Sequence, residues 1–578
     1  MRKSLLVKIK IPFLISCFFL PTLLFAQSSF FPINSASEDL IERWEIKSGQ
    51  HFQSVGTHLK PFSRTGNASL NGLNKELRQI LEGDQMTLSP TDRYQFQFLA
   101  ENNAHYFDEL GLTDTQRTGI WNTFYKRKRY IFSNKSHNQN RKGWGLYIQP
   151  IFNFQIGHSE RVEDFLYKNT RGVSLRGDVD QKVGFQFSLT ENQARYPAYI
   201  RNYIRDYSAV PGVGFSKSYE FGENAVDFID ASGFISFKAS KHIQLQFGHG
   251  DHFIGQGFRS MLLSDFGPNY LYLRVLTNVG KINYQNIFTQ FIQGNSSTQP
   301  RKKKYGAFHH LSIDILPSLQ WGLFEGIIMH DNRGTGREFD MNYLNPVIFY
   351  RFVEHQLGSP DNVVVGSDLD YIPFNGVQFY GQVLFDEFLF DELKSGDGFW
   401  GNKYGWQFGG KYLDALGINQ LDLQVEYNEA SPYTYSHKYP PNSYTHYNQP
   451  LAHPLGANLR ELMGQISYQP FQKWKGTLTL SLSEYGMDSQ EDTFSMGGNP
   501  RISTNKFKNE YGNEIGQGIK NIIRLANLKI SYELFPNMYV DVEGQLREVN
   551  SEKDQFSTEE LFIGGGLRYN FSDKQEVF

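Results

Sequence analysis

Cysteine is almost absent from this chain of 578 residues, and the only one is Cys17. It lies in an N-terminal segment that we expect to be removed. A mature chain without cysteine has no disulfide framework, no thiolate metal site and no cysteine nucleophile. The chain also lacks a strong charge excess, because its net charge is −3 at pH 7. That balance excludes a strongly basic nucleic-acid binder and a basic peripheral membrane protein.

Long apolar runs are missing as well, except at the N-terminus. The mean hydropathy is −0.47, and no later segment approaches a transmembrane helix, which needs about 20 apolar residues. A helical membrane protein is therefore excluded. Residues 1–10 are basic, residues 11–26 carry no charge, and Ala26 offers a small residue before a cut. We predict a cleaved secretory signal peptide over residues 1–26. Leu14–Cys17 resembles a lipoprotein box only superficially, because the apolar run continues past the cysteine.

Catalytic motifs are also lacking: the chain has no G-x-S-x-G, no H-E-x-x-H and no phosphate-binding glycine loop. His249 and Asp251 could share a face of a strand, but His252 would point the other way. Hydrogen bonding is therefore the expected role of this cluster, rather than metal binding. The carboxylate pairs at 386–387 and 391–392 are expected to be solvated rim charges rather than a glycosidase pair. We predict a protein that is not an enzyme and that holds no cofactor and no metal.

Aromatic residues and glycine are plentiful instead, with 49 Phe, 33 Tyr and 53 Gly. From Trp144 onward, apolar and polar residues alternate, as in Val183–Leu189, Leu421–Tyr427 and Thr477–Ser483. Successive side chains of a strand point to opposite faces. Each of these strands therefore has one apolar and one polar face, and we count roughly 16 to 18 of them.

The last alternating stretch, Leu561–Phe571, indicates how the strands are arranged. Its ending, Gly566-x-x-Tyr569-x-Phe571, is similar to the C-terminal assembly signal of outer-membrane barrels. The turn at 535–539 is short, and long polar stretches separate other strands. These stretches are 191–223, 394–402, 431–459 and 487–519. Short turns at one end and long loops at the other are typical of such barrels. We predict an all-β transmembrane barrel over residues 143–571, followed by a short tail over 572–578.

The region before the barrel has helical spacing. Ser37–Ile46, Asn71–Leu81 and Ser89–Leu99 each place apolar residues on one face, and Pro90 follows a capping serine. Helices this short are not stable alone in water, so they must pack on another part of the chain. We predict an N-terminal helical region over residues 27–142 that ends in the polar linker 138–142.

Several stretches together resemble one family. They are Phe253–Phe266, Tyr343–Arg351, Gly358–Asn362, Trp400–Gly405, Pro432–His437 and Tyr447–Asn458. They are similar to the Wzi-like capsule-assembly outer-membrane proteins and, within that group, to the RemB-type gliding-motility proteins. The resemblance implies an antiparallel barrel of about 18 strands, whose periplasmic mouth is closed by an N-terminal α-helical plug.

The same resemblance implies a role at the surface of a Gram-negative bacterium, in the outer membrane. That role is surface polysaccharide (capsule) assembly or attachment, or gliding motility and adhesion. The implied partners are outer-membrane lipid and lipopolysaccharide, surface polysaccharide and a motility or adhesion machinery. The alternative is an outer-membrane channel or transporter for a small solute, against which the helical plug argues.

Candidate glycan-binding residues lie in two places. Sugars stack on aromatic rings and form hydrogen bonds through their edges, so the aromatic loop 431–450 is the first candidate. The basic run 301–304, which could attract an anionic polysaccharide, is the second. The alternatives are an aromatic girdle or self-packed loop for the first, and a solvated turn for the second. The candidates are Tyr433, Tyr435, His437, Tyr439, Tyr444, His446, Tyr447, Asn448, Arg301, Lys302, Lys303 and Lys304.

Overall fold

The architecture was obtained as a computed structural model. It describes residues 29–64, 72–83, 88–103, 107, 132–133, 143–180, 182–215, 217–218, 225–294, 301–330, 339–349, 361–387, 389–489, 493–572 and 578. The predicted signal peptide and the predicted linker 138–142 lie outside the described residues. Within the described part of the chain, no helix is both long enough and apolar enough to cross a membrane.

Eighteen long antiparallel strands close into a barrel, in which the last strand pairs with the first. The strands are β1 (Trp144–Ser159), β2 (Val162–Val179), β3 (Val183–Arg195), β4 (Val226–Lys238), β5 (Ile243–Gly250), β6 (Tyr270–Val279), β7 (Ile282–Gln293), β8 (Lys302–Leu316), β9 (Leu319–Met329), β10 (Asn362–Phe374), β11 (Val377–Glu387), β12 (Lys403–Tyr412), β13 (Leu421–Ala430), β14 (Leu459–Phe471), β15 (Trp474–Met487), β16 (Ile519–Phe535), β17 (Met538–Ser551) and β18 (Thr558–Tyr569). The predicted barrel of about 18 strands is confirmed. Two short strands pair with the wall at opposite ends of the barrel: Phe132–Ser133 with the start of β1, and Lys217–Ser218 with the start of β4.

The alternation in the sequence places apolar side chains on the outer surface of the barrel and polar side chains in its interior. On β16, Leu528 and Ile530 are exposed on the outer surface, whereas Asn527 and Ser531 are buried in the interior. A soluble sheet would show the opposite pattern, with its apolar face packed inside. An apolar exterior around a polar interior is the arrangement of a barrel surrounded by lipid.

The two ends of the barrel differ. At one end, which we call the turn end, eight connections of two to eight residues join consecutive strands. At the other, the loop end, the longest connections are 196–225, 330–361, 431–458 and 488–518. Exposed aromatic side chains lie around the barrel wall near the turn end, as in the aromatic girdle at a membrane–water interface. They include Trp144, Trp321, Phe374, Tyr412, Phe471 and Trp474.

Three N-terminal helices lie against the turn end: α1 (Ala36–Ser48), α2 (Gly72–Glu82) and α3 (Pro90–Asn102). α1 begins at Ser35, whose Oγ accepts a hydrogen bond from the Glu38 amide, and α3 begins with a capping box at Ser89. The Trp44 and Phe96 rings join α1 to α3, with centroids 4.0 Å apart. The three predicted helices are confirmed, and we call residues 29–64, 72–83 and 88–103 the plug.

Ion pairs attach α1 to the barrel. The Arg43 guanidinium contacts the carboxylates of Asp414 and Asp422, which flank the turn between β12 and β13. Lys47 lies 2.7 Å from Asp414 and 3.1 Å from Asp92 on α3. Because Arg43 and Lys47 are both buried, these contacts are shielded from solvent and fix α1 to the turn end.

A second charged cluster lies deeper in the plug. Lys60 pairs with Glu38 and Glu42 of α1, and Lys411 of β12 pairs with Glu42. Burial raises the pKa of Glu38 to about 8, even though Lys60 opposes the shift. Leu59–Lys60 also pairs as a strand with Phe253–Ile254 from the loop between β5 and β6. The plug therefore extends through the interior as far as a loop from the opposite end.

Residues 339–349 fold back from the loop end against the outside of the wall. The amide of Phe349 donates a hydrogen bond of 2.8 Å to the Glu325 carboxylate. Glu325 lies beside His309 in the β8–β9 register, and the His309 ring is 2.6 Å from the side-chain oxygen of Asn286. The segment thus covers a row of polar side chains on an outer surface that is otherwise apolar.

Candidate functional site

The loop end is filled by two loops, residues 251–269 and 431–458, which we call the lid. The Tyr435 and Tyr444 rings stack with centroids 5.6 Å apart inside the barrel. Their hydroxyls donate hydrogen bonds to the carbonyls of Met261 and Leu262, at 2.8 and 2.6 Å. All four residues belong to the main apolar core, so the lid is part of the folded interior.

Two buried lysines from the barrel wall hold the lid. The Lys304 ammonium donates to the Ser443 carbonyl at 2.6 Å, and the Lys403 ammonium donates to the Ser436 carbonyl at 3.0 Å. Lys403 also lies 3.6 Å from the Asp386 carboxylate, which accepts the Tyr435 amide at 2.8 Å. The expectation of solvated rim charges is therefore wrong for Asp386, because this carboxylate anchors the lid from within.

His446 in the lid is held as a neutral ring. Its Nδ1 accepts a hydrogen bond from the Ile292 amide at 2.9 Å, and its Nε2 lies 3.2 Å from the Asn269 carbonyl. A ring nitrogen that accepts carries no proton, so Nε2 is the donor to the carbonyl. Burial lowers the pKa of His446 to about 3. Burial also lowers the pKa of His437, to about 4.

The predicted glycan-binding residues are distributed between the interior and the surface. The buried set is Tyr433, Tyr435, His437, Tyr444, His446 and Lys304; the partly exposed set is Tyr447, Asn448 and Arg301; the exposed set is Tyr439, Lys302 and Lys303. Tyr433, Tyr435, Tyr447 and Asn448 have positive φ angles, which non-glycine residues rarely adopt. The lid therefore has a specific, folded backbone that loop composition alone does not reveal.

An aromatic surface lies above the lid, built from residues 389–402, the lid and residues 493–518. Trp400 stacks on Phe507 with centroids 4.6 Å apart and planes at 7°, and Phe399 lies 5.5 Å from Tyr511. We call this set the loop-end aromatic surface. Its members are Phe399, Trp400, Tyr439, Phe494, Phe507 and Tyr511.

Main-chain contacts fix the three loops to one another. Trp400 donates its amide to the Glu510 carbonyl at 3.0 Å, and the Thr504 amide donates to the His437 carbonyl at 3.3 Å. Gly398, at φ 66°, packs so closely on Asn513 that an added Cβ would lie 2.6 Å from its carbonyl oxygen. Because these contacts order the loops, the exposed rings are presented on a fixed framework.

Three rings of this surface are open to solvent: Phe494 is 53% exposed, Tyr511 45% and Tyr439 37%. Of these, only Tyr439 was among the residues predicted from the sequence. Phe494 and Tyr511 were missed, although both lie in the polar stretch 487–519. The signal that could have found them is an aromatic residue isolated in a polar loop.

The interior also contains a cavity of about 880 Å³. It is lined by the plug on one side and by residues of the wall strands β1–β6 and β12–β18 on the other. Its lining runs from Lys473 and Asn537 in turn-end connections to Phe266 and Pro454 in the lid. The plug and lid therefore leave much of the polar wall in contact with this space.

The histidines at 249 and 252 form hydrogen bonds, as predicted, but to partners on different elements. The His249 ring lies 3.0 Å from the Ala231 carbonyl, whereas the His252 ring lies 3.1 Å from the Tyr270 hydroxyl. Burial lowers the pKa of His252 well below its usual value. Within the described ranges, no group of three His, Cys, Asp or Glu side chains is placed to hold a metal ion.

By architecture the chain is an outer-membrane-type β-barrel: closed, antiparallel, with an even number of strands and an apolar exterior. Among solved structures it is similar in fold to Wzi of Escherichia coli, described as an outer-membrane protein involved in group 1 capsule assembly and a carbohydrate-binding β-barrel. The TM-score is 0.52 at 12% identity, over 95% of this chain and 100% of that one.

Two Pseudomonas aeruginosa outer-membrane proteins match less of the chain. OprD has a TM-score of 0.40 at 11% identity, over 73% of this chain and 94% of that one. OpdK, solved with vanillate, has a TM-score of 0.41 at 9% identity, over 73% and 98%. No family model and no curated protein matches the chain.

Proposed function

We propose that this chain is a non-enzymatic outer-membrane barrel that holds surface polysaccharide at its loop end. Export through a cleaved signal peptide would deliver it to the outer membrane of a Gram-negative cell. There the apolar exterior contacts lipid and lipopolysaccharide. The turn end then faces the periplasm, and the loop end faces the outside. The likeness in fold to a capsule-assembly protein supports this assignment.

The observation that carries the proposal is the loop-end aromatic surface on a lid that fills the barrel mouth. Aromatic faces offer flat apolar contacts for sugar rings, while nearby polar groups bond the hydroxyls. Lys438, Lys506 and Glu510 are exposed beside these rings, so polar partners of both signs are available. A rigid, exposed surface of this kind suits binding without turnover.

The residues predicted from the sequence contribute to the proposed site in two ways. Tyr439, Tyr447 and Asn448 of the lid, with Arg301, Lys302 and Lys303 at the start of β8, are accessible for direct contact. The Arg301 guanidinium lies 5.0 Å from the Phe215 ring and 5.9 Å from the Tyr447 ring. The buried members, among them Tyr435 and Lys304, give the lid the shape that presents the others.

The proposed role is capsule assembly or attachment, or gliding motility and adhesion of the RemB type. A gene deletion separates these two roles. In the deletion strain, the amounts of cell-attached and released polysaccharide are measured, and colony spreading is recorded alongside. Polysaccharide that moves into the medium supports attachment. Polysaccharide that stays attached while spreading or adhesion fails supports the motility role.

Replacing Phe494 and Tyr511 together with alanine should weaken binding of the cell's own polysaccharide roughly tenfold, since each stacked ring is worth about 0.5–1.5 kcal/mol. Both rings are exposed, so the variant should keep the stability of the wild type. Binding is measured by retention of purified protein on immobilised polysaccharide.

The matched control is Phe556→Ala, because Phe556 is similarly exposed, at 38%, but lies in the loop between β17 and β18. This variant should bind as the wild type does. Equal binding by the double variant and the wild type would remove the loop-end aromatic surface from the proposal.

The interior cavity is the observation that favours the alternative, a channel for a small solute. The lid fills the loop end with apolar core, and the plug is bound to the turn end by buried ion pairs. We therefore expect no stable large openings when the purified protein is inserted into planar bilayers. Steady conductance in the wild type would favour transport and contradict a closed barrel.

A further inference from the structure

Charge is unevenly distributed along the interior cavity. Toward the lid, its lining includes the carboxylates of Asp230, Asp251 and Asp265. Toward the turn end, basic side chains of the wall dominate the lining. They are Arg176 on β2, Lys473 and Lys475 at the β14–β15 connection, Lys529 on β16 and Arg568 on β18. Arg259 of the lid and Lys168, in the loop-end half of β2, also line the cavity. The turn-end half of the wall is therefore its more basic part.

The basic character of the turn-end half comes from the wall rather than from the plug. On the plug side of the lining, Arg43 contacts Asp422 of the wall and Lys60 contacts Glu42. Asp39 of α1 also lines the cavity and interacts with the charge of Lys475. On the wall, the Asp541 carboxylate of β17 lies close to two cations, 2.6 Å from Arg568 and 4.0 Å from Lys529. The Glu533 carboxylate lines the same region and accepts a hydrogen bond of 2.5 Å from the hydroxyl of Tyr94 in the plug.

Aromatic rings accompany these cations. The Arg568 guanidinium lies 4.2 Å from the centroid of Tyr539, and the Lys168 ammonium lies 5.8 Å from the centroid of Phe571. Both rings line the cavity. Serine, threonine and glutamine side chains fill much of the remaining wall, including Gln465, Ser467, Thr477 and Gln186. Cations, rings and amides together suit a ligand that is anionic, carries hydroxyl groups and has an apolar ring face.

We propose that the turn-end half of this cavity binds an acidic oligosaccharide, a short chain of uronic acid sugars that enters from the turn end. Carboxylates of the ligand pair with the wall cations, and its ring faces meet Tyr539 and Phe571. The size of the cavity, about 880 Å³, admits several sugar units of such a chain. This site is separate from the loop-end aromatic surface and does not depend on it.

Replacing Lys473 and Lys475 together with glutamine should weaken binding of a short oligogalacturonate at least tenfold at low salt. The full-length protein is titrated in detergent by calorimetry, with a neutral malto-oligosaccharide of equal length as the comparison probe. The wild type should bind the acidic chain more tightly than the neutral one, and this difference should shrink as salt is added.

Lys241→Gln is the matched control, because Lys241 is an exposed lysine at a turn-end connection that does not line the cavity. The Phe494/Tyr511 alanine variant should also bind oligogalacturonate normally, so failure of this proposal and failure of the loop-end proposal can be told apart. Unchanged oligogalacturonate binding by the Lys473/Lys475 variant would overturn the luminal site. Full competition by inorganic phosphate would overturn the oligosaccharide class, leaving only a small-anion site.

A second measurement locates the ligand without removing a charge. Thr477 lines the cavity on β15, and the chain's single cysteine is Cys17, in the predicted signal peptide. In a Thr477→Cys variant, oligogalacturonate should slow modification of the thiol by a small uncharged reagent, whereas the neutral chain should not. Equal rates with both sugars would place the acidic chain elsewhere and contradict the proposal.

Discussion

Replacing Arg43 with methionine should destabilise the attachment of the plug by about 3 kcal/mol. The side chain of Arg43 is 8% exposed and contacts two carboxylates, Asp414 and Asp422, which are each 23% exposed. Removing one partner of a largely buried ion pair costs about 3–5 kcal/mol, because the remaining charge has lost its counterion. The lower end applies here, since Lys47 still lies 2.7 Å from Asp414.

Limited trypsin digestion of the detergent-folded protein measures this change, since a released plug exposes lysines and arginines of α1–α3. Cleavage within residues 29–103 should be much faster in Arg43→Met than in the wild type. Arg78→Ala is the control: Arg78 and Glu82 form an exposed helical pair 3.9 Å apart, and such pairs contribute less than about 1 kcal/mol. Equal cleavage of the Arg43 variant and the wild type would show that the ion pairs do not hold the plug.

A second variant separates lost charge from lost packing. Asp422→Asn in the Arg43→Met background removes the carboxylate that the first change leaves without its guanidinium partner. If the uncompensated charge is the cause, the double variant should be more resistant to trypsin than Arg43→Met alone. If lost packing of the aliphatic part of the arginine side chain is the cause, the second substitution should not restore resistance to trypsin.

The barrel could be predicted from the sequence because its two faces meet different environments. Lipid requires apolar side chains at every second position, and a polar interior requires the reverse. A pair such as Leu528–Leu534 and Val540–Leu546 therefore carries the pattern locally, without knowledge of its neighbours. The helices also carry a local signal. Ser35 and Ser89 cap them through hydrogen bonds to residues only three positions further along the chain.

The lid could not be predicted, because its contacts are distant in sequence. The Tyr435 hydroxyl reaches the Met261 carbonyl across 174 residues, and the Tyr444 hydroxyl reaches Leu262 across 182. A tyrosine-rich loop has the same composition whether its rings face solvent or core. Apart from Tyr439, the loop-end aromatic surface was missed for the same reason, since the Trp400–Phe507 stack joins two loops more than a hundred residues apart.

Acid should loosen the lid, because His446 must remain neutral inside it. Its folded pKa of about 3 lies below the ordinary value of 6.5. The folded lid therefore binds fewer protons than the opened one. The stability that His446 contributes is fully present above about pH 6.5 and is lost as pH falls toward 3. The positive charge of Lys304 acts in the same direction, since it opposes a charge on the ring. His437, with a pKa of about 4, adds to the effect.

Hydrogen exchange across the lid amides 433–458 measures this linkage, after correction for the intrinsic pH dependence of exchange. Between about pH 7.5 and about pH 4.5, protection should fall roughly 100-fold, the ratio set by the two pKa values. His446→Gln should reduce the fall substantially, since its amide can donate to Asn269 and accept from Ile292 without titrating. His158→Gln, at an exposed position, should leave the fall unchanged. If His446→Gln and the wild type lose protection equally, the acid response arises from other groups, and the buried ring only fills space.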